Sequence, residues 1–186
     1  MKYYIFDLDG TLCDSMWWWR KETEHITDFR DFALMEPAYL KMREHYRADV
    51  KLKDGIREFL EKARGNGIKM CIATGTRRDV AEPFLARTGL LEFMEFYIDC
   101  HEVGRFKEHP DIYLRSAERL GADISECAVF EDSDYSAETA KRAGFFVVGI
   151  IDEVTGTEGD VSAFSDLTVE SWRDERLSAL TERNTV

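Results

Sequence analysis

Tyr3-Tyr4-Ile5-Phe6-Asp7-Leu8-Asp9-Gly10-Thr11 stands almost at the start of this 186-residue chain. A short apolar run that stops on Asp and passes into Asp-Gly reads as a buried strand entering a turn. Further on, the same grammar repeats. Ile68–Ala73 is an apolar run followed by Thr74-Gly75-Thr76, Phe96-Tyr97-Ile98 is a short one, and Cys127–Phe130 runs into Glu131-Asp132-Ser133. Phe145–Ile151 is a fifth such run, and Leu167-Thr168-Val169 reads as a short edge strand. Between them lie helical stretches that stop on glycine: 79–88 before Gly89, 110–120 before Gly121 and 133–143 before Gly144. Trp172–Leu180 reads as a closing helix. Strands alternating with helices of this length predict an α/β fold: a three-layer αβα, Rossmann-like parallel sheet covered on both faces.

Residues 15–52 break the alternation. Two helices are expected there with no strand between them, one from Ser15 to about Leu34 and one from Glu36-Pro37 to about Ala48. A third, 55–64, should follow with Asp54 as its cap. The expected organisation is therefore a core of residues 1–14 and 53–186, with 15–52 as a small helical cap inserted after the first strand.

Composition narrows the function. A net charge of −12 makes nucleic acid or an anionic membrane a poor partner. No run of about 20 apolar residues is present to span a bilayer. No apolar leader with a small-residue cleavage site precedes the first strand, and Cys13, Cys71, Cys100 and Cys127 form no CxxC pair. A cytoplasmic protein with reduced core thiols is expected, as a monomer or weak homodimer.

In a parallel sheet, ligands bind beyond the carboxyl ends of the strands. Asp7, Asp9, Glu131 and Asp132 fall there, with the hydroxyls of the Thr74-Gly75-Thr76 segment and Lys107 from the loop after the third strand. Acids so placed either cap the following helices or share a cation. Oxygen donors without nearby Cys or His suit a hard ion such as Mg2+. His25, His45, His101 and His109 show no metal spacing and are expected at the surface.

These residues carry a resemblance. Phe6-Asp7-Leu8-Asp9-Gly10-Thr11-Leu12 is similar to the DxDGT motif of the haloacid dehalogenase superfamily of phosphohydrolases, in the branch that includes β-phosphoglucomutase and phosphoglycolate phosphatase. Thr74 resembles its second motif, Lys107 with Pro110-Asp111 its third, and Glu131-Asp132-Ser133 with Ala143-Gly144 its fourth. The resemblance implies a magnesium-dependent phosphatase that acts on a small phosphorylated metabolite through an aspartyl-phosphate. Asp7 would be the nucleophile and Asp9 the acid and base. Thr74, Gly75 and Lys107 would hold the phosphoryl oxygens. Asp7, Asp9 (by its main-chain carbonyl), Glu131 and Asp132 would serve the metal, Glu131 directly or through water. An acid at Asp9 favours phosphate esters, since dehalogenases proper lack one there. Glu108 and Ser136 depart from the third and fourth motifs without removing a reacting group.

Two other functions stay open: a phosphomutase, which the short insertion disfavours, and a non-catalytic module, which intact Asp7, Asp9, Lys107 and Asp132 disfavour. Trp17-Trp18-Trp19 fan over about 200° of a helix, so all three cannot face one partner. They pack between cap helices, stack on substrate through Trp17, or meet a second subunit. Arg77 is either on a solvated helix face or reaches a second anionic group on the substrate.

Overall fold

The computed structural model describes residues 1–28, 32–155 and 159–182. Six parallel strands form one sheet: β1 (Tyr3–Phe6), β2 (Lys69–Thr74), β3 (Phe96–Asp99), β4 (Cys127–Glu131), β5 (Phe146–Ile150) and β6 (Leu167–Val169). Their order is β3-β2-β1-β4-β5-β6. The chain therefore steps outward from β1 in one direction, then returns to lay β4 on its other side. Phe6 pairs with both Ile72 and Phe130. The residues just past this register, Asp7 and Glu131, end up side by side at the point where strand order reverses, where such sheets open a crevice.

Alternation along the strands sorts the core into two layers. Tyr4, Phe6, Ile72, Phe130 and Val148 face one side. Ile5, Cys71, Ala73, Val129 and Val147 face the other. The first side is covered by α3 (Ile56–Gly65), α4 (Arg78–Thr88) and α8 (Glu175–Thr181). The second is covered by α6 (Asp111–Leu120) and α7 (Asp134–Arg142), with the short α5 (Cys100–Val103) near its rim. Tyr4, Phe6, Phe59, Phe130 and Trp172 form one aromatic cluster on the first side, Phe130 and Trp172 stacking at 5.5 Å. The Tyr4 hydroxyl is buried inside it with no hydrogen-bond partner among the described residues.

The insertion carries α1 (Met16–Thr23) and α2 (Phe32–Ala48). Its two connections to the sheet run side by side: Asp14 N–H donates to Lys51 O (2.9 Å), and Lys53 N–H to Leu12 O (3.0 Å). Ile26, Met35, Tyr39, Met42, Tyr46 and Val50 are buried in the same apolar cluster as the sheet residues and α4. The two expected insertion helices are present with different bounds. The first stops at Thr23, where the Thr23 hydroxyl returns to Trp19 O (2.7 Å) and Ile26 N–H to Thr23 O (2.9 Å). Part of its expected length, 29–31, lies outside the described residues. The second starts at Phe32, so Pro37 sits inside it instead of at its start.

Asp54 does not cap α3. Gly55 takes that position with φ 84°, and Asp54 instead grips Arg173 through two bonds of 2.9 Å. The closing helix begins at Glu175, capped by Asp174, because Trp172 is drawn into the core, where its indole donates to Thr11 O (3.1 Å). No helix among the described residues is long and apolar enough to cross a membrane.

Candidate active site

Asp7 follows β1 directly and its N–H bonds Phe130 O (2.9 Å), which fixes it beside the end of β4. The chain then turns through Gly10 at φ 78°. A Cβ there would stand 2.0 Å from an Asp132 carboxylate oxygen, so only glycine lets the turn pass this close. Asp132 follows β4. It accepts from the Thr155 hydroxyl (2.6 Å) on one oxygen and from the Thr11 hydroxyl (3.4 Å) on the other. It is therefore committed to the site; Ser133, which occupies the N-cap position of α7, makes no side-chain cap bond.

Lys107 reaches in from the loop between α5 and α6. Although it is a lysine, it is 5 % exposed. Its Nζ is paired with Asp7 and donates to Glu131 Oε1 at 2.7 Å. The Tyr113 hydroxyl on α6 donates to the same oxygen, also at 2.7 Å. One oxygen of Glu131 is thus used to hold Lys107 in place.

Ligand oxygens of Asp7, Glu131 and Asp132 lie within 4.8 Å of one another. Three carboxylates and one ammonium leave two negative charges unbalanced in a buried site. Burial raises the Asp7 carboxyl well above the usual carboxylate range. Lys107 offsets this in part, and Glu131, Asp132 and Asp9 add to it. Burial, reinforced by Glu131, pushes Asp132 up to about 7. Burial opposes the charge on Lys107, but Asp7 and Glu131 outweigh it and hold the ammonium charged. Without a further cation the carboxylates must retain a proton among them. The donor set is all oxygen and two charges in excess, which fits a hard divalent ion.

Asp9 is set apart from that cluster. Its Oδ1 accepts from Ser15 Oγ (2.5 Å), from Trp19 Nε1 (3.1 Å) and from the Tyr46 hydroxyl, and its Oδ2 from Thr76 Oγ1 (2.7 Å). Ser15, Trp19 and Tyr46 all belong to the insertion. Thr74 is buried at the end of β2, where its hydroxyl oxygen accepts the Thr76 N–H (3.1 Å) and keeps its own proton available. Gly75 is exposed, with open space where a side chain would be.

Of the three adjacent tryptophans, Trp19 and not Trp17 reaches Asp9. Trp17 is 55 % exposed and meets Trp18 and Lys21. Arg77 is engaged by Asp79 (2.6 and 2.9 Å) and Glu36 (2.9 Å) and lies over the Tyr39 ring. Not every histidine stays at the surface as expected: His45 is stacked on Trp18 and bonded to Glu22 (3.1 Å) and Asp49 (2.8 Å).

Sequence reasoning did not assign Ser15, Trp19, Tyr46, Tyr113 or Thr155 to the site. Ser15 carried a signal, as the residue placed to start α1, and Trp19 another, as one of three adjacent tryptophans. The others are far in sequence from the acids that they touch.

A family model described as haloacid dehalogenase-like hydrolase matches residues 17–144, a span with Thr74, Lys107, Glu131 and Asp132 but without Asp7 and Asp9. Protein CbbY of Rhodobacter capsulatus is 28 % identical over 222 aligned residues, covering 96 % of this chain and 95 % of that protein. The alignment is longer than this chain, so the relative carries residues that this one lacks. Validoxylamine A 7'-phosphate phosphatase of Streptomyces hygroscopicus subsp. limoneus is 29 % identical, covering 92 % of this chain and 96 % of that protein. Among solved structures, CbbY from Rhodobacter sphaeroides in complex with phosphate superposes with a TM-score of 0.78, at 17 % identity, over 94 % of this chain and 96 % of that one, which is a likeness of fold.

Proposed function

The chain belongs to the haloacid dehalogenase-like hydrolases, and from that premise we propose that it is a magnesium-dependent phosphatase. Its substrate class is the phosphomonoester of a sugar or sugar-like alcohol, which the phosphatase relative's name supports. The observation that carries the reading is the buried cluster of Asp7, Glu131 and Asp132 with Lys107 inserted between Asp7 and Glu131. Buried negative charge of this kind suits a site that must gather a cation and an anionic phosphoryl group together.

Asp7, Glu131 and Asp132, with the Asp9 main-chain carbonyl, would hold the ion. When bound, Mg2+ supplies charge neutralisation and orientation of the phosphoryl oxygens. An Asp7 carboxylate oxygen attacks phosphorus in line, the bond from phosphorus to the ester oxygen breaks, and Asp9 gives its proton to that oxygen. Asp9 then takes a proton from water as the water attacks the phosphoaspartate, which releases phosphate and restores Asp7. Lys107 and the Thr74 hydroxyl hold the phosphoryl oxygens, with the exposed Gly75 leaving room for them. The α1–α2 cap walls the site on the Asp9 side. Cys13, Cys71, Cys100 and Cys127 are all free and buried, which suits work in the reducing cytoplasm.

The test is a panel of metabolite phosphates assayed with Mg2+, with Asp7→Asn in parallel and acid-quenched samples examined for phosphoprotein. Turnover of at least one sugar phosphate is expected, with a trapped phosphoenzyme in the wild type and less than about a hundredth of the rate in Asp7→Asn. Turnover that survives in Asp7→Asn would refute the reading. Conversion of a hexose 1-phosphate to an isomer without phosphate release would move the assignment to a phosphomutase.

A further inference from the structure

The Asp9 carboxylate is surrounded unevenly. Oδ1 accepts three bonds, from Ser15, Trp19 and Tyr46, while Oδ2 accepts one, from Thr76. A carboxylate oxygen offers about two lone-pair directions, so Oδ1 is fully occupied and Oδ2 keeps spare capacity. Two of the Oδ1 partners are aromatic and come from different helices of the insertion. They are also linked to each other, because the Trp19 indole N–H lies 3.1 Å from both Asp9 Oδ1 and the Tyr46 oxygen. An indole N–H can only donate, so Trp19 fixes Oδ1 as an acceptor.

Tyr46 is fully buried, and Arg87 holds its carbonyl from α4 at 3.1 Å. Burial, and then the charge of Asp9, keep its phenol well above the usual range, so it stays a donor. Trp19 is fixed in turn by the Thr23 hydroxyl on its carbonyl (2.7 Å) and by the edge of the Tyr39 ring.

We propose that Trp19 and Tyr46 are positioning residues for the acid–base step: they pin Asp9 Oδ1 so that Oδ2 is the oxygen that carries the proton to and from the reacting groups. This rests on the phosphatase reading of the site. It gives the helical insertion a part in the chemistry, by orienting the proton donor, besides any part in recognising substrate. A carboxyl free to rotate would present its proton in the right direction only part of the time, and the loss would be felt where the leaving oxygen needs that proton.

The test compares Tyr46→Phe, Trp19→Phe and Trp18→Phe with the wild type on an alkyl phosphate and on a nitrophenyl phosphate, by kcat/KM with saturating Mg2+. A nitrophenolate leaves without protonation, so it reports everything except the acid. Tyr46→Phe and Trp19→Phe should lose about tenfold on the alkyl ester, within the range of acid–base contributions, and under about twofold on the aryl ester. Trp18→Phe perturbs the same helix without touching Asp9 and should leave the alkyl-to-aryl ratio unchanged. In an Asp9→Ala background, Tyr46→Phe should cost nothing further, since its effect passes through Asp9.

Equal losses on both esters, a similar ratio change in Trp18→Phe, or a full additional loss in the Asp9→Ala background would each overturn the proposal while leaving the phosphatase standing. An Asp9→Ala variant that itself loses equally on both esters would overturn the acid–base role of Asp9, and the positioning role with it. A wild type inactive on every ester would overturn the function and this inference together.

Discussion

Replacing Asp132 by Asn should reduce a pH dependence of stability that the metal-free protein owes to its buried carboxyls, Asp132 among them. Asp132 has its ordinary value of 3.8 in the unfolded chain and is pushed up to about 7 in the folded one, mainly by burial. Between those values the folded protein keeps a proton that the unfolded chain has released. Stability is therefore highest at the acid end and falls as pH rises through 7. At about 1.4 kcal/mol per pH unit, the full effect is about 4 kcal/mol. For a domain of this size that is a fall in Tm on the order of 10 °C.

Asp7, also raised by burial, acts with the same sign. His101, whose burial lowers it from 6.5, acts against them at the acid end, but it is the same in both proteins and cancels in the comparison. Carboxylates held low, such as Asp79 and Asp152, titrate below this window. The assay is thermal unfolding from pH 5 to pH 8 in chelator, then in excess Mg2+, for the wild type and Asp132→Asn. In chelator the wild type should lose Tm toward pH 8 and the variant much less. Mg2+ should restore the wild type at pH 8 by about 3 kcal/mol at a hundred times its Kd, and less at pH 5, where protons compete for the same oxygens. A wild-type Tm in chelator that rises from pH 5 to 8, or the same slope in Asp132→Asn, would refute the reasoning.

Thr155→Val removes the hydroxyl that holds Asp132 at 2.6 Å while keeping the side-chain shape. Loss of such a support should weaken Mg2+ binding about 10- to 100-fold, measured by calorimetric titration, with the rate at saturating Mg2+ affected far less. Tyr4→Phe removes from the aromatic cluster a buried hydroxyl with no partner among the described residues. It should stabilise the protein by about 1–3 kcal/mol in urea unfolding, and no gain would mean that the hydroxyl has a partner in solution.

The sheet was legible because its signals are local. Each buried strand is an apolar run, and Asp7, Thr74, Glu131 and Asp132 follow those runs directly, so strand ends and candidate ligands were found together. The insertion was harder to read. The sequence Ser15 to Leu34 has no proline or glycine to stop a helix, so nothing local marked the stop at Thr23. Asp54 next to Gly55 is a good cap signal, but a guanidinium 119 positions away outbids the local N–H groups. The partners of Asp9 are long-range in the same sense. Tyr46 occupies an ordinary inward position on an amphipathic helix, and nothing local marks its hydroxyl for a carboxylate 37 positions earlier. Thr155 lies in the irregular segment after β5, where no periodicity points inward.

The attachment of α2 bears on how the site works. Two arginines of the α4 region fasten it near both ends. Arg77 binds Glu36 near its start, and Arg87 binds the carbonyls of Tyr46 and Val50 at and beyond its end. Along the same helix Met35, Tyr39, Met42 and Tyr46 share the apolar cluster of the sheet. A helix held only by the exposed Arg77–Glu36 pair could swing away at little cost. One that must also expose several buried side chains, at about 1.5–3 kcal/mol for each large one, behaves as a fixed wall. Arg77 is part of that attachment, so recruiting it to a second anionic group of the substrate would mean breaking its bonds to Glu36 and Asp79. The wall also sets the position of Tyr46, whose hydroxyl meets Asp9. The surroundings of the acid–base carboxyl are thus determined by how α2 packs on α4.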